Sequence, residues 1–150
     1  MFRVGVKRKK HRKIPSVVNG PNRVKVGFPA GKVAQEILDR AVWNHFGTSG
    51  GGWGGPIPER PFLRNAITEH KSEYRRNLKN SAAKILRGDT SMRVVLSKLG
   101  VFAQGHIQNE ITNLSSPPNS PVTVALKGSS NPLIDSGEMR GKVTWKVDDD

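Results

Sequence analysis

The chain contains no cysteine, which excludes disulfides, thiolate metal sites and the disulfide-built secreted scaffold. Its stability has to come from packing or from partners. No apolar run approaches the ~20 residues that cross a bilayer. The basic start is followed by Ile14, Pro15, Ser16, Val17, Val18 and Asn19 rather than the apolar core of a signal segment. These absences lead to the expectation of a soluble protein made in the cytoplasm, with no membrane partner. Apolar residues are few, at 35%, while 16 glycines and 10 prolines are spread through 150 residues. That composition fits one folded body of ordinary size carrying long loops or arms that order on assembly.

Acidic residues are missing before Glu36, and this absence locates the net charge of +13. Arg3, Lys7, Arg8, Lys9, Lys10, Arg12, Lys13, Arg23, Lys25 and Lys32 all precede Glu36, whereas the rest of the chain is nearly balanced. The charge therefore belongs mainly to an arm, residues 1–22, attached to a single body, residues 23–150. Lys7, Arg8, Lys9, Lys10, Arg12 and Lys13 are the arm's candidate contact residues. They suit an acidic protein partner or neighbouring subunit first, nucleic acid second, and a solvated tail third.

Several segments have readable local structure. Alternation over residues 23–29 puts Val24, Val26 and Phe28 on one face of a strand. Residues 33–46 repeat at helical spacing up to Gly47. Residues 47–58, rich in glycine and proline, read as a loop with one apolar anchor, Trp53. From Pro61 the stripe Leu63, Ala66, Ile67, His70, Tyr74, Leu78, Ala82 and Ile85 predicts one long helix to about Arg87. Asp89 or Thr90 is expected to cap a second, carrying Met92, Val95, Leu96, Leu99, Phe102, Ala103, Ile107, Ile111 and Leu114. A polar loop extends from Ser115 to about Pro132, and a turn or short helix near Asp135–Met139 leads to a last strand at Lys142–Val147. Phe2, Val4 and Val6 would allow a further short strand.

The expected fold class is α+β: a small antiparallel or mixed sheet, formed by the two ends of the chain, packs against two long antiparallel helices and one shorter helix. Extended loops and the basic arm complete it. There is no internal repeat.

Chemistry is spelled more often than it is supported. Gly47, Ser49 and Gly51 match a G-x-S-x-G elbow, yet a helix precedes them and a glycine run follows, so Ser49 lacks a rigid mount and an oxyanion hole. Gly27 to Val33 departs from a phosphate loop in spacing, in Pro29 and in its final Val33. His11, His45, His70 and His106 are far apart in sequence, which argues against a preformed metal centre. The expectation is no enzyme, no cofactor and no metal. Asp148, Asp149 and Asp150 read as a solvated acidic tail, with contact to another subunit's arm as a further hypothesis.

Four segments, in order, resemble the tailed-phage tail-component and tail-completion family and related head-tail connector and virion-morphogenesis proteins. They are Val24–Phe28; Ala41–Thr48, similar to "A-x-x-N-E-F-G-T"; Ile57–Ile67, similar to "I-P-x-R-P-F-L-R-x-A"; and Asn131–Arg140, similar to "P-L-x-D-T-G-x-L" before a final strand. Departures are His45 for Glu, Ser136 for Thr, the glycine-rich insertion and the basic arm.

The resemblance implies a structural protein at the neck or the proximal tail end, made in the host cytoplasm and carried in the virion. It implies a homo-oligomeric ring, with six copies favoured over twelve, that joins the head connector to the tail. Its neighbours would be neck, portal-adaptor and tail-tube or tail-terminator proteins, with non-specific DNA contact in the channel. Arg60, Phe62, Arg64 and Asp135 become interface or loop-anchoring candidates, beside Trp53 and the arm. On local chemistry alone, Arg60 would anchor the loop to a carboxylate or carbonyl, Phe62 would plug the sheet-helix seam, and Asp135 would cap a turn. The arm, the loop at 48–56 and the loop at 116–132 are expected to make inter-subunit contacts. The rival reading is a basic nucleic-acid-binding module acting through its arm.

Overall fold

The computed structural model describes residues 20–29, 31–50 and 55–148. Trp53, the arm residues Lys7 to Lys13, the strand expected at Phe2–Val6, and Asp149 and Asp150 lie outside the described residues.

Among the described residues, two strands and six helices make a mixed α+β fold. Strand β1 (Arg23–Gly27) pairs antiparallel with β2 (Thr144–Asp148), with Val24 opposite Val147 and Val26 opposite Trp145. The expected pairing of early and late segments is thus present, with the late strand beginning at Thr144. Lys25 reaches diagonally across the pair to the Asp148 carboxylate at 2.6 Å. Asp148 is therefore part of the sheet and not of a free acidic tail.

Helix α1 (Gln35–Phe46) buries Ile37 and Ala41, one turn apart. It stops at Gly47, whose φ of 72° suits glycine and where a side chain would lie 2.8 Å from the Ile57 carbonyl oxygen. Next to it, Thr48 and Ile57 exchange backbone hydrogen bonds of 2.8 and 3.1 Å. The glycine-rich stretch, expected as a loop without regular structure, is thus closed at its base by an antiparallel bridge.

The single helix expected from Pro61 to Arg87 is two: α2 (Phe62–Glu69) and α3 (Lys71–Arg87). The chain bends at His70, with φ −94° and ψ 7°, where neither proline nor glycine is present to signal it. Backbone bonding continues across the bend, from the Tyr74 N–H to the His70 carbonyl at 3.0 Å.

Helix α4 (Met92–Asn113) is the longest, about 33 Å at 1.5 Å per residue. Its cap is Ser91, whose hydroxyl accepts from the Val94 N–H at 3.3 Å, in place of the expected Asp89 or Thr90. Asp89 is held instead by Arg87 at 2.9 Å. Contacts of residue 65 with 110 and of 74 with 106 show that α2 and α3 run antiparallel to α4.

The polar segment after Ser115 contains an unexpected helix, α5 (Pro121–Lys127). It has a Ser120 cap and proline in its first turn, but none of its residues is buried. A short α6 (Glu138–Gly141) precedes β2.

Phe62, Ile107, Ile111 and Val143 are the largest fully buried side chains, each contributing roughly 1.5–3 kcal/mol by leaving water. Ala41, Ala66, Leu114 and Leu133 complete the buried cluster, flanked by Val26, Phe28, Leu63, Ile134 and Met139. The centre of the fold is therefore the C-terminal half of α4, covered by α2, α1 and the sheet.

Candidate functional site

Phe62 and Arg60 occupy the junction where the chain enters α2. Phe62 is wholly buried, with Phe28 set edge-on at 6.3 Å between ring centroids and His45 edge-on at 5.4 Å. The plug expected at the sheet-helix seam is thus in place. His45 lies against Phe62 and Phe46. Burial, then the nearby Arg64 charge, lowers its pKa from the usual histidine value, against an opposing pull from Glu59.

Arg60 is 3% exposed, an uncommon state for a guanidinium that has no carboxylate partner among the described residues. Its Nε donates to the Pro117 carbonyl at 2.7 Å, and one terminal nitrogen donates to the Pro118 carbonyl at 2.9 Å. The other meets the Asn44 side-chain oxygen at 3.0 Å. Carbonyl and amide dipoles thus hold this charge, and burial lowers the group's pKa. Asn119, which also accepts from Arg60, donates onward to the Asn131 carbonyl at 3.2 Å. This ties the Pro-rich segment, expected as a polar loop, at several points to the body.

A groove of about 830 Å³ opens beside Arg60, between α1 and α5, with Arg40, Lys127 and Asp135 on its walls. Burial lowers the Lys127 pKa, opposed by Asp135 and reinforced by Arg60, while Lys127 Nζ donates to the Asn131 carbonyl at 3.1 Å. Asp135 is exposed and makes no side-chain cap; the α6 N-cap is Gly137, with Ser136 Oγ accepting from the Glu138 N–H at 3.3 Å. Arg64 is exposed on α2 and pairs with Glu59 at 2.7 Å.

The four segments picked out in the sequence converge here. Val26 and Phe28, Ala41, Phe62 and Ala66, and Leu133 and Met139 share one core, and Arg60 links the second and third segments through Asn44. Periodicity alone pointed to few of these contacts; the Arg60 bonds span 57 and 58 residues.

Large apolar side chains also face outward. On α1, Val42, Trp43 and Phe46 form one stripe, with Phe46 69% exposed; on the first half of α4, Val94, Val101 and Phe102 form another. On α5, Val122 and Leu126 are exposed. The α1 stripe lies on the helix whose Ala41 shares the buried cluster with Ile107, Ile111 and Leu114. Val94 lies thirteen residues earlier than Ile107 on α4, about 20 Å along its axis.

The fold also brings together two histidines that the sequence separates. The rings of His70 and His106 stack with centroids 3.5 Å apart, and both face Glu73, at 3.4 and 3.7 Å. Tyr74 Oη lies 2.9 Å from His106 Nδ1, and burial, then the Glu73 charge, pushes the phenol up to about 12. The signal that could have pointed here is the i, i+3 spacing of His70 and Glu73, with His106 on the facing stripe. Among the described residues, no helix is long and apolar enough to cross a membrane. No family model, curated protein or solved structure matches the chain.

Proposed function

We propose that this chain is a structural virion protein of a tailed phage, forming a ring at the head-tail interface or the proximal tail end and joining the head connector to the tail. The observation that carries the reading is the pair of separate apolar stripes on two helices: Val42, Trp43 and Phe46 on α1, and Val94, Val101 and Phe102 on the first half of α4. Exposed apolar patches of this kind mark contact surfaces. Two different patches on one subunit favour a head-to-tail repeat, which closes into a ring when the rotation allows. The neck assignment rests on the four-segment resemblance, whose residues pack as one unit around Phe62 and Arg60. The protein acts by geometry, its rings stacking on neighbouring rings around a channel for DNA.

On this reading the fold is a small sheet packed on α4, with α2 and α3 antiparallel to that helix and the arm reaching a neighbouring subunit or ring. The loops at 48–56 and 116–132 present its contact surfaces. Native mass spectrometry of the full chain tests the assembly: the expected species is a closed oligomer near six times the 16.5 kDa subunit. A strict monomer at all concentrations, with or without neck partners, contradicts it. The second reading, a nucleic-acid-binding module, draws on the basic arm alone. It predicts DNA affinity that falls steeply with salt in the absence of any protein partner.

A further inference from the structure

We propose that His70, Glu73 and His106 form a binding site for a single transition-metal ion of the zinc class, clamping the α2–α3 bend to α4. The three donors come from two chain regions that meet only in the folded state. His70 Nδ1 and His106 Nε2 lie 3.4 and 3.7 Å from the same Glu73 oxygen, and one ligand atom from each residue falls within 4.8 Å of the other two. A tetrahedral ion held at ~2.0–2.1 Å from nitrogen separates its ligand atoms by about 3.3 Å, so two of the three edges are near their bound lengths.

Two imidazoles and one carboxylate select zinc, cobalt, nickel or copper over magnesium and calcium, which prefer oxygen cages. Three protein ligands leave a fourth position for water. Tyr74 supplies the outer support such sites use. With Nδ1–H of His106 donating to the phenol oxygen, the ring presents Nε2 as a lone pair toward Glu73. The Tyr74–His106 bond admits either tautomer, and metal binding selects the one with the proton on Nδ1.

The rings are within 11° of parallel, so they must splay for both lone pairs to meet one ion. His70 is the more exposed of the two rings: it sits at the bend, with its side chain 31% exposed against 18% for His106.

The test uses the full chain and zinc chloride in isothermal titration at a pH about one unit above the ordinary histidine value, with cobalt(II) absorption as a second readout. The expected result is one ion per chain, a tetrahedral cobalt spectrum, and a melting temperature that rises with zinc. His70→Asn and Glu73→Gln, both on the solvent rim, should abolish all three effects while leaving circular dichroism unchanged. Tyr74→Phe should weaken affinity about 10- to 100-fold. Absence of saturable zinc binding, or binding that persists in the His70→Asn/Glu73→Gln double variant, overturns the proposal.

Discussion

Arg60 donates from Nε to the backbone carbonyl of Pro117 at 2.7 Å, across 57 residues of sequence. One buried cation thereby fixes the helix entrance to the Pro-rich segment and, through Asn44, to α1. Removing it leaves several acceptors without their charged donor, at roughly 1.5–3 kcal/mol for each such bond. Arg60→Ala is expected to lower stability by about 3 kcal/mol or more, read as the midpoint of chemical unfolding. Arg60→Lys should recover only part of this, because an ammonium cannot reproduce the planar fork. A midpoint unchanged in Arg60→Ala would show that the clasp contributes nothing.

Gly100 is the close-approach point between α4 and the sheet. A side chain there would lie 2.7 Å from the indole of Trp145, whose ring is placed by the β1–β2 pairing. Gly100→Ala gains helix propensity of up to ~1 kcal/mol, yet overpacking costs typically ~1–3 kcal/mol. Net destabilisation is expected, with partial rescue when Trp145→Leu is added. A Gly100→Ala variant more stable than the parent would contradict this contact.

Acid should weaken the fold through its histidines. His45 and His106 both have pKa values lowered from 6.5, with burial the largest cause. The unfolded chain therefore binds more protons than the folded one between the ordinary value and the lowered folded values. Their stabilising contribution is complete above about pH 6.5 and is lost as pH falls through the folded pKa values. A Tm–pH profile should bend downward in that window, and His45→Phe should flatten part of the bend. A profile level through the window would refute the buried-neutral assignment.

The two apolar stripes can be tested by mixing. Phe46→Glu should block one face and Val101→Glu the other, so each variant alone should fail to assemble. Mixed in equal amounts, the two should form a heterodimer that grows no further, since each contributes one intact face. Sedimentation velocity distinguishes this from a self-paired interface, in which a damaged face cannot be complemented in this way.

The parts of the fold legible in sequence were those with strong periodicity or clear stops. The alternation of Val24 and Val26, the α4 stripe through Ile107 and Ile111, and the end of α1 at Gly47 are local signals, and all appear in the structure. The bend at His70 was not legible because helical spacing continues through it, and α5 was not because its apolar residues, Val122 and Leu126, face outward. Gly100 adds no side chain to the helical pattern, although its bareness is what admits Trp145. At the site, the partner chemistry of Arg60 was foreseeable from its donor geometry, whereas its partners lie 57 and 58 residues away. The stack of His70 on His106 likewise depends on the antiparallel docking of α3 on α4, a register that neither helix encodes alone.

The central claim is a ring at the head-tail junction, and electron cryomicroscopy of the intact virion tests it most directly. The predicted result is density for this chain in a closed ring around the channel, between the head connector and the tail, with the Phe46 stripe of one subunit against the Val101 stripe of the next. A virion whose neck and tail contain no copy of the chain, or a chain bound only along packaged DNA, would contradict the account.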